Sequence, residues 1–221
     1  RRISYCYLLR KYKYMLQLTT FFTQNGIPEE TLIWIFMLPI AMTLVVIGRQ
    51  IVGIKGFSIS APILIGFAFA AIGLQSGVIA FVTVLGVGFI IKSALRNMRL
   101  LYLPKMALIL LITAVAVSAL TPFLPYKDDI QFSHAAFAFI ILILSTEQFG
   151  SLLIERGPRK TLGVALETLV MSTAIFFLIT SVWLQNIVVT YPLIVLLTAI
   201  LTNLFLGKWT GLRISEYIRF K

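Results

Sequence analysis

Seven apolar stretches, parted by short polar or charged connections, take up most of the 221 residues: roughly 30–48, 57–74, 77–92, 104–121, 133–154, 161–184 and 187–206. Each has about the length a spanning helix needs, 17–25 mostly apolar residues. Runs such as Phe139-Ile140-Ile141-Leu142-Ile143-Leu144 show none of the apolar–polar alternation of a membrane β-barrel. Composition leads to the same place. With 59% hydrophobic and 12% charged residues, the chain has too little polar surface to cover itself in water, which excludes a soluble enzyme, a disordered chain and a soluble coiled coil. The expected fold is all-α: a polytopic membrane bundle of seven transmembrane helices over residues 25–221, preceded by a juxtamembrane segment, residues 1–24. There Tyr5, Tyr7, Tyr12 and Tyr14 alternate with Arg1, Arg2, Arg10, Lys11 and Lys13, as in a chain lying along an interface. That segment reads as the connector from a portion upstream of Arg1.

Loop charge sets the expected orientation. If the first stretch starts outside, one side of the membrane collects thirteen basic residues: Arg49, Lys55, Lys92, Arg96, Arg99, Lys105, Arg156, Arg159, Lys160, Lys208, Arg213, Arg219 and Lys221. The outer loops hold one, Lys127, with Glu29, Glu30, Asp128 and Asp129, while Arg1, Arg2, Arg10, Lys11 and Lys13 of the first 24 residues would also lie outside and run against the bias. The positive-inside bias then places the N-terminus outside and the C-terminus in the cytoplasm. The net charge of +11 is read as this bias and not as a nucleic-acid footprint. Pro28, Pro104 and Pro158 stand at or just before first turns, where the missing N–H matters least. Pro39, Pro62 and Pro192 are expected to kink or loosen their helices.

Ionisable groups inside a span are costly, and two carboxylates are candidates for an intramembrane polar site. Glu147 precedes Glu155 by eight residues in the fifth stretch, and Glu167 follows Lys160 by seven in the sixth. Consecutive antiparallel helices would put both at similar depth near the inner face. There they either receive a cation, a proton or an amine, or pair with Lys105, Arg156 or Arg159 to lock the bundle. The connection Glu155-Arg156-Gly157-Pro158-Arg159-Lys160 is compact and basic. Lys92, Arg96 and Arg99 share one helical face, suited to anionic lipid headgroups or an acidic partner. Arg49 and Arg213 complete the inner basic surface.

Other residues argue for less. His134 at an outer end reads as a structural hydrogen-bonder, and Trp34, Trp183 and Trp209 as interfacial anchors. The small residues Gly66, Ala68, Ala70, Ala71, Gly73, Gly77, Gly86 and Gly88 let helix backbones approach closely. One cysteine, Cys6, and one histidine leave no intrachain disulfide and no Cys/His metal cluster. No phosphate-binding, zincin or nucleophile-elbow motif is present, so no catalytic residue, metal or cofactor is expected. Gly56-Phe57-Ser58-Ile59-Ser60-Ala61 and Gln131-Phe132-Ser133-His134-Ala135-Ala136 open the second and fifth stretches from opposite sides, the mark of a three-plus-three inverted repeat.

Several separated motifs carry a family resemblance: Gly26-Ile27-Pro28-Glu29-Glu30-Thr31, Gly48-Arg49-Gln50-Ile51-Val52-Gly53, Arg99 through Ala107, Ile154-Glu155-Arg156-Gly157 with Leu166-Glu167-Thr168, and Gly207 through Arg213 with Glu216-Tyr217. Over residues 25–221 the chain resembles the bacterial domain of seven transmembrane helices usually fused to an inactive transglutaminase-like domain. More weakly, residues 56–115 and 132–180 look like the small membrane subunit of poly-γ-glutamate (capsule) synthases. The first resemblance implies a multi-pass protein of the bacterial inner membrane, with a transglutaminase-like domain outside, commonly encoded beside an ATP-grasp ligase similar to glutamate ligases. It carries no catalytic residue across. The expected function is a non-enzymatic subunit that docks such a ligase and anchors or exports its peptide product. A transmembrane sensor for an outer domain and a secondary transporter are the alternatives, and oligomeric state is left open.

Overall fold

The computed structural model describes residues 26, 28–54, 56–95, 101–121 and 132–208. Among these, all regular structure is helical: α1 (Glu29–Ile47) continuing into a π turn (Gly48–Val52), α2 (Ser60–Ile72), α3 (Leu74–Ala94), α4 (Tyr102–Leu120), α5 (Phe132–Arg156), α6 (Pro158–Thr180), α7 (Val182–Thr190) and α8 (Pro192–Gly207). The physical reason is the solvent. In hydrocarbon every backbone N–H and C=O must be paired inside its own segment, which a helix achieves. Side-chain hydroxyls follow the same rule. Thr113, Thr168 and Ser172 are fully buried, and each donates to the carbonyl four residues back, at 2.7, 2.8 and 2.8 Å. Their burial therefore leaves no hydroxyl proton unpaired.

Glu30–Val52, Leu74–Ala94, Ala135–Leu153 and Pro158–Thr180 are long and apolar enough to cross a membrane. α7 and α8 qualify together as a fifth span, but they are bent by 103° at Tyr191–Pro192. Ser60–Ile72 and Leu103–Ala119 are shorter apolar helices. The seven apolar stretches thus correspond to seven helical bodies, with two corrections. α2, at 13 residues, rises only about 20 Å and is too short to cross the hydrocarbon alone. The last stretch is not one helix from 187 to 206: the chain breaks at Ser181 and again at Tyr191, because Pro192 starts a new helix.

The other prolines behave less disruptively than expected. Pro62 lies in the first turn of α2, where its ring meets no preceding turn. α1 runs on through Pro39, and α-geometry gives way only at the π turn.

Two compact units divide the chain, one of residues 54–176 and one of residues 1–53 with 177–221, so the boundary falls inside α6. It does not follow the three-plus-three division. The two matching motifs also play different parts: Phe57 and Ser58 precede a 13-residue helix, whereas Phe132 begins one of 25 residues.

In the unit of residues 54–176, α5 packs along α2, α3 and α4. Ile65, Phe69, Ile72, Phe81, Val84 and Leu142 form the centre of its core. Gly73, at φ 87°, ψ 150°, is in a region that only glycine enters freely, and it is the whole connection between α2 and α3. It folds the chain back so that Phe69 and Phe81, about 18 Å apart on a straight helix, stack edge-to-face with centroids 6.3 Å apart. In the other unit α1 packs against α7 and α8. Asn203 Nδ2 donates to Thr43 Oγ1 at 2.8 Å, and Gln50 Nε2 donates to the Leu206 carbonyl.

Candidate functional site

Three consecutive residues of α5, Gln148 to Gly150, touch the elements around them. Gln148 Oε1 accepts the Ser58 hydroxyl at 3.1 Å. Phe149 meets Phe57 edge-on, centroids 6.0 Å apart. Gly150 faces Lys92 of α3 and Met106 of α4: a Cβ built there would lie 3.7 Å from Lys92 Nζ and from Met106 Sδ. From the other side, the Thr168 hydroxyl of α6 accepts the Phe57 N–H at 3.0 Å. The Ser58 hydroxyl also accepts the Ala61 N–H at 3.0 Å, satisfying one of the orphan donors of the α2 start. Residues 57 and 58 are thereby held between α5 and α6.

This arrangement positions the two predicted carboxylates. Glu147 and Glu167 are the chain neighbours of Gln148 and Thr168, and each lies ten residues from Gly157. It is these neighbours that contact the segment at the entry to α2. The two carboxylates do not form one buried site, since Glu147 is exposed and Glu167 half-buried with a contact of its own.

The basic residues divide into two groups. Glu155, Arg156, Arg159 and Lys160 are all exposed around Gly157, whose φ of 76° makes the one-residue turn between α5 and α6. Lys92 and Lys105 are half-buried, on neighbouring helices that pack together, and the charge of one acts on the other. The Lys92 ammonium nitrogen is itself buried, with no hydrogen-bond partner among the described residues. Arg49 lies in the π turn, half-buried and engaged in a contact, and belongs to the other unit. Arg96, Arg99, Arg213, Trp209, Cys6 and residues 1–24 fall outside the described residues, as does the side chain of His134. Trp34 and Trp183 are exposed, as membrane-interface anchors are. Among the described residues no group of three His, Cys, Asp or Glu side chains could hold a metal.

A feature that the sequence did not signal lies beside this hub. An apolar cleft of about 390 Å³ opens between α3 and α6, floored by Phe149 and lined among others by Phe81, Leu85, Gly86, Phe89 and Leu166. Gly86 was expected to bring two helices together. Instead a Cβ there would meet nothing within 4 Å, and the residue leaves the cleft open.

Removing the Thr168 hydroxyl tests the hub. Thr168→Val keeps the shape but strands the Phe57 N–H, which costs about 2 kcal/mol when the donor is out of water. Thermal unfolding in detergent should register that loss. A variant as stable as the parent would show that the 57–58 segment is not held there.

The family comparison now bears on the fold. The model of a family described as seven transmembrane helices usually fused to an inactive transglutaminase matches residues 16–221. The chain belongs to this family. The seven helical bodies, the last of them broken, agree with that description, and the protein is a multi-pass membrane protein. The match takes in the end of the segment expected to be juxtamembrane, from residue 16 onward. No curated protein and no solved structure matches the chain.

Proposed function

We propose that this chain is a non-enzymatic subunit of the bacterial inner membrane, with its C-terminus and its basic inner loops in the cytoplasm. There it docks an ATP-grasp ligase of the glutamate-ligase type and anchors or exports the peptide product. The observation that carries the reading is the turn at Gly157, where Arg156, Arg159 and Lys160 are all exposed on a rigid one-residue connection between two spans. Exposed cations on a short, pre-ordered turn suit an acidic protein surface or an acidic peptide. The resemblance supplies the kind of partner. Glu147, exposed beside the entry to α2, would meet a substrate amine, and Glu167 would act from the opposite side of the same segment.

Co-purification tests this. The tagged whole protein in mild detergent should retain the ligase encoded beside it, and recovery of no ligase would reject the docking role.

The family's usual fusion to an inactive transglutaminase favours one second reading, a relay that carries the state of an outer domain inward. It predicts that ligand binding outside alters thiol labelling of a Glu155→Cys variant. Unchanged labelling would remove it.

A further inference from the structure

The short helix α7 has no part in the docking reading. It is set between two interruptions of the backbone, at Ser181 and at Tyr191. Gln185 Nε2 mends part of the first by donating to the Ile179 carbonyl at 2.8 Å, but Ser181 makes no side-chain cap to the first N–H groups of α7. An uncapped helix start needs water or protein. Hydrocarbon supplies neither, so breaks that face lipid do not occur in the bilayer core. Nor does protein enclose α7: Val182 and Trp183 are 68% and 72% exposed, and Asn186 is exposed beside them. At 100° per residue these three share one side with Thr190, while the fully buried Val188 is opposite. A face of tryptophan and valine with an amide and a hydroxyl among them belongs where lipid meets water.

The neighbouring helices fix the level and the tilt of α7. α8 follows α1 in the same direction, since Asn203 bonds to Thr43 and, further along both helices, Gln50 bonds to Leu206. α1 is of spanning length, so α8 runs through the same hydrocarbon. Pro192 precedes Asn203 by eleven residues and Leu206 by fourteen. Equal steps back along α1 from Thr43 and Gln50 arrive at Leu32 and Phe36, on either side of the exposed Trp34 and within about two turns of Glu29. The corner at Tyr191–Pro192 thus stands at the level where α1 enters the bilayer. There the chain bends by 103°, which turns α7 nearly at right angles to α8, and α7 packs against α1.

We infer that α7 is a membrane-surface helix. It lies in the plane of the bilayer at the level of Trp34, with Val182, Trp183 and Asn186 resting among the headgroups and upper acyl chains. Its partner is the lipid surface as such and not one anionic lipid, because α7 carries no charged residue. α7 follows the end of α6 opposite to the Gly157 turn, so this inference and ligase docking can fail separately.

Depth-dependent quenching of Trp183 tests the placement. With Trp34→Phe and Trp209→Phe, the whole protein keeps Trp183 as its single tryptophan. It is reconstituted in phosphatidylcholine carrying bromine near either the glycerol end or the methyl end of the acyl chain. The shallow bromine should quench more strongly, placing the indole within about 5–10 Å of the headgroup boundary. An Asn186→Cys variant in a Cys6→Ser background should react with a membrane-impermeant thiol reagent supplied on both sides. Leu197→Cys in the same background, exposed on α8 and five residues beyond Pro192, should stay unlabelled. These two variants carry the test if the tryptophan variant fails to fold. Stronger quenching by the deep bromine overturns the placement, since the indole would then approach the bilayer centre, about 15 Å from the edge of the hydrocarbon. No quenching by either bromine overturns the lipid surface in favour of a protein cover, and an unlabelled Asn186→Cys overturns the interfacial level.

Discussion

Alanine at Gly66 should lower the melting temperature of the purified protein, and alanine at Gly86 should raise it. In a helix interior, glycine to alanine ordinarily gains about 1 kcal/mol. At Gly86 nothing opposes that gain, since a Cβ meets no atom within 4 Å. At Gly66 a Cβ would stand 2.6 Å from Ile175 Cγ2, 2.8 Å from Ile175 Cβ and 3.1 Å from the Ser172 carbonyl oxygen. Ile175 is fully buried, so it has nowhere to go, and α2 must move off α6. Overpacking of this kind costs about 3 kcal/mol at the upper end of its range. The net loss is then about 2 kcal/mol, and the two alanines differ by about 3 kcal/mol. Ile175→Leu, which lacks the β-branch, should recover part of the loss. Thermal unfolding followed by size-exclusion chromatography reads both signs. Equal shifts for the two alanines would mean that α2 and α6 do not meet through Gly66.

Neutralising the turn should disconnect the partner. With Arg156, Arg159 and Lys160 all changed to glutamine, retention of the ligase should fall on the order of 100-fold, since three exposed charges contribute up to about 1 kcal/mol each. Raising the salt concentration should weaken the parent complex in the same direction, because charges at the rim of an interface are screened. The variant should still insert as the parent does: the basic residues remaining in the inner loops, among them Arg49, Lys92, Arg96 and Lys105, outnumber Lys127, the one cation of the outer loops. Undiminished capture by the triple variant would remove the Gly157 turn from the docking surface even if a complex forms.

Helix class and the number of helical bodies could be read from residue order because the hydrocarbon permits few solutions. Apolar runs of spanning length become helices, and glycine or proline at their ends marks the turns, as Pro28, Gly157 and Pro158 do. The Glu147 and Glu167 positions were legible for the same reason, since a carboxylate within an apolar run stands out. Residue order failed where the outcome depends on what another helix presents. Gly66 and Gly86 both stand in apolar helices, yet one seats Ile175 and the other opens a cleft. Lys92 was expected on a basic helical face open to lipid headgroups or an acidic partner, and only the approach of α4 and α5 seals its ammonium away from water.

The sequence by itself determined that this chain crosses a membrane as a bundle of helices, because hydropathy and charge act locally and the bilayer reads them one segment at a time. Tertiary structure alone decided that residues 57 and 58 are held by hydrogen bonds to both α5 and α6, and that Lys92 turns inward beside Gly150. Those outcomes depend on which side chains interlock between helices distant in sequence, and van der Waals packing between apolar surfaces leaves almost no signature in the order of residues along one helix.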